Sequence, residues 1–176
     1  MKIIRTITEE DFGRLPSPSN WSTYSVRPSA RAVLLDGSSR IALMHVVSDN
    51  YYKLPGGGVD EGEDTETGLK RELLEEVGAS EVEVISEIGQ VDEYRDQLDR
   101  KSEHYGYIVR LIGPIVEPDR TEEEIREGYE TVWAKDIDEA IKLVESGTPK
   151  LYGHDFERLR ELTFLVQVKS SNTSLL

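Results

Sequence analysis

The feature that most constrains this chain is a run of three glycines, Gly56–Gly58, followed shortly by a segment crowded with glutamates. The two segments read KLPGGGVDEGE (53–63) and RELLEEVG (71–78). Consecutive glycines cost backbone entropy and supply no side chain to a core. Closely spaced glutamates repel one another unless a positive charge lies between them. We therefore expect the two segments to work as one site rather than as a flexible turn beside an unrelated acidic surface.

Residues 65–77 have the spacing of an amphipathic helix. Apolar side chains recur every fourth residue, at Leu69, Leu73 and Val77. Asp64 or Thr65 can cap the first turn, because each carries an oxygen that accepts an unpaired backbone N–H. Gly78 stands where a helix end often needs a left-handed residue. The sequence therefore predicts a helix from about 65 to 77, directly after the glycine-rich loop.

The predicted helix carries its glutamates on one side. At ~100° per residue, Glu72, Glu75 and Glu76 fall within one face of roughly 100°, and Arg71 borders that face. Carboxylate oxygens are the ligands that Mg²⁺ and Mn²⁺ prefer in proteins. This face therefore indicates a site for a hard divalent cation. The alternative is a solvated acidic helix face with no further role.

Composition narrows the kind of site that the chain can hold. The chain has no cysteine, which excludes disulfides and thiolate metal ligands. Its three histidines are not closely spaced, so any metal is expected to be held mainly by oxygen. The formal net charge of −14 disfavours sequence-independent binding to DNA or RNA. We therefore expect no nucleic-acid polymer among the partners.

The sequence favours one cytoplasmic domain. No apolar run approaches the ~18 residues that suggest a membrane span, and the start, MKIIRTITEEDF, lacks the layout of a signal peptide. No repeat or linker divides the chain, so residues 1–176 are predicted to form a single α/β domain. Residues 1–28 are expected to be a lead-in of a short strand or turn followed by irregular chain. Residues 169–176 are expected to be a frayed tail.

Hydrophobic periodicity predicts the remaining elements. Strands are expected at 30–36, 40–46, 51–55, 80–91, 104–113 and 130–134, the first two joined as a hairpin. Helices are expected at 136–146 and 155–168. The charged segment 92–103 is predicted to be a loop.

The full spacing of the glycine and glutamate segments resembles a known signature. Gly57 is followed by five residues and Glu63, and then by seven residues and the run Arg71, Glu72, Leu73, any residue, Glu75, Glu76, any residue, Gly78 and Ala79. This order is similar to the signature of the Nudix hydrolases, with every charged and glycine position met. Ala79 is smaller than the usual aliphatic residue. Gly68 stands where such sequences often carry Ala, at a cost of roughly 1 kcal/mol in helix propensity.

The resemblance implies both a fold and a reaction. The implied fold is an α/β/α sandwich with a mixed central sheet and a loop-helix-loop catalytic motif. The implied reaction is hydrolysis of a pyrophosphate bond in a nucleoside diphosphate linked to another group. Mg²⁺ or Mn²⁺ is the implied cofactor, and a small-molecule nucleotide is the implied partner. Many members form homodimers, and the sequence leaves that state open.

The resemblance also implies roles for the residues of the signature. Glu75, Glu76 and often Glu72 bind the metal, and Glu72 is in addition a candidate general base. A backbone carbonyl in the glycine turn, that of Gly56, is expected to complete the coordination shell. Glu63 and Arg71 are expected to support the site, with Arg71 restraining the glutamates.

A further carboxylate is expected from one of two loops. In family members that destroy oxidised guanine triphosphates it comes from the loop before a late Trp strand, and Glu127 occupies that place here. In members that act on ADP-ribose the loop after the signature helix matters instead, and Asp92 or Glu93 would then supply it. A solvated acidic turn is the alternative interpretation of Glu127.

Candidate substrate-binding residues are cationic or aromatic and lie near the signature in the predicted order of elements. They are Arg27, Arg31, Lys53, Tyr94 and Arg95. Packing in the core or on the surface is the alternative for the aromatic residue, and solvent exposure is the alternative for Lys53.

Three hypotheses for function follow. The first is a pyrophosphohydrolase that converts a nucleoside triphosphate, either normal or oxidised, to the monophosphate and pyrophosphate. The second is a hydrolase of ADP-ribose or another nucleotide sugar. The third is a non-catalytic sensor that binds nucleotides, which is disfavoured because such modules typically lose the glutamates that this chain keeps.

Overall fold

The computed structural model describes residues 1–15, 20–148 and 150–171. Within these residues, seven strands form one sheet: β1 (Ile3–Ile7), β2 (Ser25–Leu35), β3 (Ile41–Val46), β4 (Tyr51–Lys53), β5 (Val82–Arg95), β6 (Arg100–Leu111) and β7 (Tyr129–Ala134). The helices are α1 (Thr65–Val77), α2 (Glu122–Glu127), α3 (Ile137–Ser146) and α4 (Tyr152–Ser170). Short 3₁₀ turns lie at Glu9–Phe12, Trp21–Thr23 and Asp96–Leu98.

The sheet is mixed, as predicted. Its order is β1-β5-β6-β2-β3-β4, and β7 pairs with β3 as well. β1 runs parallel to β5 and β2 runs parallel to β6, while the other pairs are antiparallel. The long β2–β6 pair forms the centre of the sheet and places the start of both strands at the same edge.

Helices cover both faces of this sheet. Alternate residues of β2 point to opposite faces, and two separate apolar clusters result. Ala32 and Leu34 pack with Leu69 and Leu73 of α1 on one face. On the other face, a second cluster combines residues of β2, β3, β5 and β6 with α3 and α4, including Val33, Leu35, Phe156 and Phe164. The α/β/α sandwich is therefore confirmed.

Most predicted elements are present, and α1 has the predicted bounds, with Asp64 as its cap and Gly78 in the left-handed conformation at its end. The lead-in contains β1 and the first residues of β2. The helix predicted at 155–168 runs from Tyr152 to Ser170, so it includes the first residues of the predicted tail. Residues 172–176 of that tail lie outside the described residues.

The prediction of a loop at 92–103 is wrong. β5 continues to Arg95 and β6 begins at Arg100, joined by a single 3₁₀ turn. The charged side chains were the reason to expect a loop. Within the sheet, these side chains form ion pairs with one another. Lys101 Nζ, for example, lies 3.0 Å from Asp92 and 2.7 Å from Glu103. Ion pairing therefore replaces the apolar alternation that usually marks a strand.

None of the helices in the described ranges is both long and apolar enough to cross a membrane.

Candidate active site

The glycine loop is held against β2 and does not project freely. The Ala30 N–H donates to the Gly57 carbonyl at 2.9 Å, and the Ala32 N–H donates to the Pro55 carbonyl at 3.0 Å. The loop therefore lies along the edge of β2 like a short added strand. This pairing fixes the position of the loop in front of α1.

Two of the glycines are required by close contacts. Gly56 has a φ of +125°, and a Cβ there would lie 2.2 Å from the Ala30 carbonyl oxygen. Gly57 leaves room for a side chain of α1, because a Cβ there would lie 2.3 Å from Glu72 Oε2. The loop thus brings bare backbone against a carboxylate of the predicted metal-binding face. The glycine run and the glutamate helix therefore lie against each other. That they form one functional site stays a prediction.

Arg71 holds the carboxylates together. Its Nη1 donates to Glu72 at 2.9 Å and to Glu75 at 3.1 Å. Its Nε and Nη2 donate to the two carboxylate oxygens of Glu63 at 3.2 and 3.1 Å. Nη2 also donates to the Gly58 carbonyl at 2.9 Å. One guanidinium therefore ties the loop to three glutamates, which is the restraining arrangement expected of Arg71.

The second side of the site is a buried ion pair. Glu76 is only 2% exposed, and it accepts from Lys53 Nζ at 3.0 Å and from the Gly56 N–H at 2.7 Å. Burial alone would lower the pKa of Lys53, but the neighbouring Glu76 carboxylate raises it above its ordinary value, so Lys53 is positively charged. Lys53 is not exposed to solvent, the alternative that the sequence left open; in this structure it neutralises Glu76.

The environment of Glu72 suits proton transfer. Burial is the largest effect and raises the pKa of its carboxyl, and the charge of Glu76 raises it further. Arg71 and Arg31 act in the opposite direction, but the pKa remains above its usual value. A carboxylate with a raised pKa is a better general base near neutral pH than a freely solvated one.

One backbone carbonyl of the glycine loop, that of Gly56, is available to bind a metal ion. The carbonyls of Pro55 and Gly57 accept backbone hydrogen bonds, and Gly58 accepts from Arg71. No hydrogen bond from a described residue reaches the Gly56 carbonyl. An unpaired buried carbonyl beside carboxylates is a suitable ligand for a hard cation.

The donor set therefore fits Mg²⁺ or Mn²⁺ in its chemistry. The oxygens on offer are those of Glu72, Glu75 and Glu76 together with the Gly56 carbonyl. In this structure the carboxylates turn towards Arg71 and Lys53 instead of one shared point. Among residues 1–15, 20–148 and 150–171, no group of three or more acidic or histidine side chains is placed to hold a metal ion.

The structure explains why position 68 is a glycine, which the sequence spacing alone did not. Gly68 lies buried on α1, and a Cβ there would approach Glu63 Oε2 to 3.1 Å and Val59 Cγ2 to 3.3 Å. Both distances are tighter than ordinary contacts, so an alanine would press on the carboxylate that Arg71 holds. The helix gives up some propensity at this position to keep Glu63 in place.

The residues predicted to supply a further carboxylate have different surroundings. Glu127 ends α2 and is half-buried; its charge and that of Glu76 both raise the pKa of the Tyr129 phenol, after the larger effect of burial. Asp92 is buried and paired with Lys101. Glu93 is fully buried in ion pairs with arginines. The structure thus leaves Glu127 near the site and places Asp92 and Glu93 in internal ion pairs.

All three predicted substrate-binding arginines line one cavity of about 130 Å³, which we call the arginine cavity. It is lined by Arg27, Arg31, Arg95, Arg100, Glu157 and Arg160, among others. Tyr94 does not line it and stacks on Trp21, with ring centroids 4.3 Å apart. Arg100 and Arg160 were not predicted. Arg100 could be found only once the register of β2 with β6 was known, since that register sets it beside Ser25, at the same end as Arg27.

A buried ion-pair network forms the floor of the arginine cavity. Arg160 Nη1 donates to Glu93 at 2.9 Å, and Arg95 Nη2 lies 2.7 Å from the same carboxylate. His104 lies 3.3 Å from Glu93 and hydrogen-bonds Ser29 through its other ring nitrogen. Burial lowers the pKa of His104 to about 3, so the ring is neutral at physiological pH.

The arginine cavity adjoins the glycine loop. A Cβ at Gly58 would lie 3.5 Å from Arg27 Nη2, so this guanidinium stands beside the loop whose carbonyl Arg71 binds. The charge of Arg31 acts on the pKa of Glu72, which places it near the carboxylate face as well. The acidic site and the basic cavity are therefore neighbours across β2.

Comparison with known proteins agrees with this arrangement. A model described as the NUDIX domain matches residues 25–151, which is most of the chain. A protein of Wolbachia pipientis (subsp. Culex pipiens, strain wPip) named RNA pyrophosphohydrolase is 58% identical over 40 residues, or 23% of this chain and 25% of that protein. The match thus spans about a quarter of that relative's length.

Solved structures with the same fold have low sequence identity to this chain. The MutT protein from Methanosarcina mazei Go1 superposes with a TM-score of 0.57 at 17% identity, over 85% of this chain and 98% of the other. An Ap4A hydrolase from C. elegans superposes with a TM-score of 0.56 at 15% identity, over 84% and 98%. At these identities the likeness shows the fold alone, and it confirms the predicted α/β fold with its mixed sheet.

Proposed function

Because this chain belongs to the Nudix hydrolase family, a family of pyrophosphohydrolases that typically depend on divalent metals, we infer that it cleaves a nucleoside diphosphate derivative with Mg²⁺ or Mn²⁺. The observation that carries this inference is the set of contacts around Arg71, which binds Glu63, Glu72, Glu75 and the glycine loop at once. These contacts hold a carboxylate face in front of the glycine loop, while α1 packs on the sheet through its separate apolar face.

The residues divide the work of the reaction between them. Glu72, Glu75, Glu76 and the Gly56 carbonyl would hold the metal, which when bound supplies charge neutralisation and a more acidic water. Glu72, with its raised pKa, would take the proton of the attacking water. Arg71 and Lys53 keep the carboxylates in fixed positions, so that little reorganisation is needed during the reaction. The glycine loop lets a phosphate approach the backbone closely.

A nucleoside triphosphate is the first substrate that we propose, with cleavage to the monophosphate and pyrophosphate. ADP-ribose or another nucleotide sugar is the second. The relative named RNA pyrophosphohydrolase favours a third test substrate, an RNA with a pyrophosphate linkage at its 5′ end. The net charge of −14 argues against extended contacts with such a polymer.

The test is turnover of these substrates with Mg²⁺ by the wild type and the Glu75→Gln variant. Glu75 is a cleaner choice than Glu76, because its side chain is 39% exposed while Glu76 is buried against Lys53. Glu66→Gln is the matched control, since Glu66 lies on the same helix, is exposed and is 3.9 Å from Lys70. We expect Glu75→Gln to lower kcat by about 10²–10³-fold and Glu66→Gln to leave it unchanged.

Two results would contradict the proposal. Equal turnover by the wild type and Glu75→Gln would show that the carboxylate face is not catalytic. Nucleotide binding without turnover of any substrate would support the sensor hypothesis instead.

A further inference from the structure

The arginine cavity is unusual in its charge. Five arginines line it, and the carboxylate of Glu157 is the acidic side chain that shares the lining. The other lining residues in the described part of the chain are Ser29, Ser102 and His104, and the histidine is neutral. Each side chain on this surface is therefore polar or charged. Such a lining does not suit a nucleobase, whose faces pack on aromatic or apolar groups.

The arginines fall into two groups. Arg95 and Arg160 are paired with Glu93 in the floor of the cavity. Arg27, Arg31 and Arg100 have no carboxylate oxygen within 4.0 Å among the described residues. Three of the five arginines in the cavity therefore lack a close carboxylate partner in the described part of the fold.

Some of these guanidinium atoms are also buried. Arg31 Nε and Nη1 and Arg100 Nε are inaccessible to solvent and have no hydrogen-bond partner among the described residues. Leaving a buried charged donor unpaired is costly, so such groups normally meet a counter-ion or a ligand. The surroundings of Arg100 show this cost: burial and the charges of Arg95 and Arg27 all lower its pKa.

We propose, building on the pyrophosphohydrolase function above, that the arginine cavity is a second anion subsite that binds a phosphomonoester group of the substrate. This group would be separate from the pyrophosphate that is cleaved at the carboxylate face. The substrate class is then a nucleoside diphosphate derivative that carries an additional phosphate.

The size and position of the cavity fit this group. A volume of about 130 Å³ accommodates several water-sized groups, such as the oxygens of one tetrahedral phosphate. Guanidinium groups bind phosphate oxygens with two parallel hydrogen bonds, and several together favour a dianion over a carboxylate. Arg27 lies beside Gly58, so the cavity adjoins the loop that would receive the pyrophosphate. One substrate can thus reach both places.

The first experiment tests the anion site without any turnover. Inorganic phosphate is titrated into the metal-free protein while nitrogen-edited NMR follows the Nε–H signals of Arg31 and Arg100. We expect both signals to shift in a saturable manner, and Arg100→Gln to weaken phosphate binding by about tenfold or more. Arg110→Gln is the matched control, because Arg110 lies at the far end of β6 and pairs with Glu83 on the surface. It should bind phosphate like the wild type.

The absence of saturable shifts, or equal phosphate affinity in Arg100→Gln and the wild type, would overturn the anion site. Because this measurement needs neither metal nor hydrolysis, it can fail while the proposed enzymatic function stands. Conversely, it can succeed in a protein that hydrolyses nothing.

The second experiment separates a substrate subsite from a site for free phosphate. Calorimetry compares the binding of two matched pairs that differ by one phosphomonoester, coenzyme A with dephospho-coenzyme A and NADP⁺ with NAD⁺. We expect the phosphorylated member of at least one pair to bind about tenfold tighter, and Arg100→Gln to remove the difference. Equal binding within both pairs, together with intact binding of inorganic phosphate, would contradict the substrate subsite and leave a site for free phosphate.

Discussion

The two charged regions on either side of β2 carry charges of opposite sign. On the α1 side, four glutamates share two cations of the fold, because Arg71 binds three of them and Lys53 binds the fourth, so negative charge is in excess. On the α4 side, the arginine cavity contains more positive charge than its carboxylates balance. The first region would therefore gain stability when a divalent cation enters, and the second when an anion enters. The difference suggests that the carboxylate face is a prepared catalytic surface and that the cavity is a recognition surface.

The largest expected effect comes from Glu72→Gln. It keeps the shape of the side chain but removes the carboxylate that contacts Gly57 and Arg71. We expect kcat to fall by about 10³-fold, while the melting temperature changes little because Glu72 is only half-buried. Steady-state kinetics with the best substrate of the panel measures this. A wild-type kcat in this variant would show that Glu72 has no catalytic role.

The next prediction concerns the balanced pair on the α1 side. Lys53→Met leaves the Glu76 carboxylate buried without its cation, and breaking a buried pair in this way costs about 3–5 kcal/mol of unfolding free energy. Urea denaturation followed by circular dichroism measures the loss. The double variant Lys53→Met/Glu76→Gln should recover part of it, because no uncompensated charge then remains. A loss below about 1 kcal/mol in the single variant would show that the pair is more solvated than its burial indicates.

The sequence predicted the α1 side far better than the α4 side, for a physical reason. Loop and helix are contiguous, and a helix has a fixed angle per residue, so the spacing from Gly57 to Glu76 already brings Glu72, Glu75 and Glu76 to one face. The spacing did not show the burial or the contacts of individual side chains. It did not show that Lys53 is buried against Glu76 or that Gly68 makes room for Glu63.

The arginine cavity is assembled from distant parts of the chain. β2, β5, β6 and α4 each contribute, so its composition depends on strand register and helix docking. Charge and position in the order of elements make Arg27, Arg31 and Arg95 candidates, but nothing in the sequence links them to Arg100 or Arg160. The incorrect loop at 92–103 has the same origin, since Lys101 and Asp92 form their ion pair only after β5 and β6 meet.

A third prediction uses pH to probe the floor of the cavity. His104 has a pKa of about 3 in the folded protein, against 6.5 as its ordinary value. Between these values the unfolded chain binds the additional proton, so unfolding free energy rises with pH and is lost as pH falls from 6.5 towards 3. The slope is up to ~1.4 kcal/mol per pH unit.

His104→Gln should flatten this dependence between pH 6.5 and 4.5. Below pH 4.5 Glu93 contributes with the same sign: burial alone would raise its pKa, but the nearby positive charges lower it well below the ordinary value. Urea denaturation at a series of pH values measures the slope. An unchanged slope in the variant would mean that His104 is not the neutral buried group described.

The smallest predicted effect is also the sharpest contrast with Lys53→Met. Arg100→Gln removes a charge with no carboxylate partner, next to Arg95 and Arg27. We expect the unfolding free energy in phosphate-free buffer to stay within about 0.5 kcal/mol or to increase. Added phosphate should raise the melting temperature of the wild type more than that of the variant. A strongly destabilised Arg100→Gln protein would show that Arg100 has a structural partner and would weaken the contrast between the two regions.

The most direct test of the central claim, that the α1 face holds a divalent metal, is binding of Mn²⁺ followed by electron paramagnetic resonance. The wild type and Glu66→Gln should bind Mn²⁺ with the same affinity, and Glu75→Gln should bind it about tenfold or more weakly, because one carboxylate ligand is lost. Equal Mn²⁺ affinity in all three proteins would contradict the account, since the glutamates on this face would then not be the ligands.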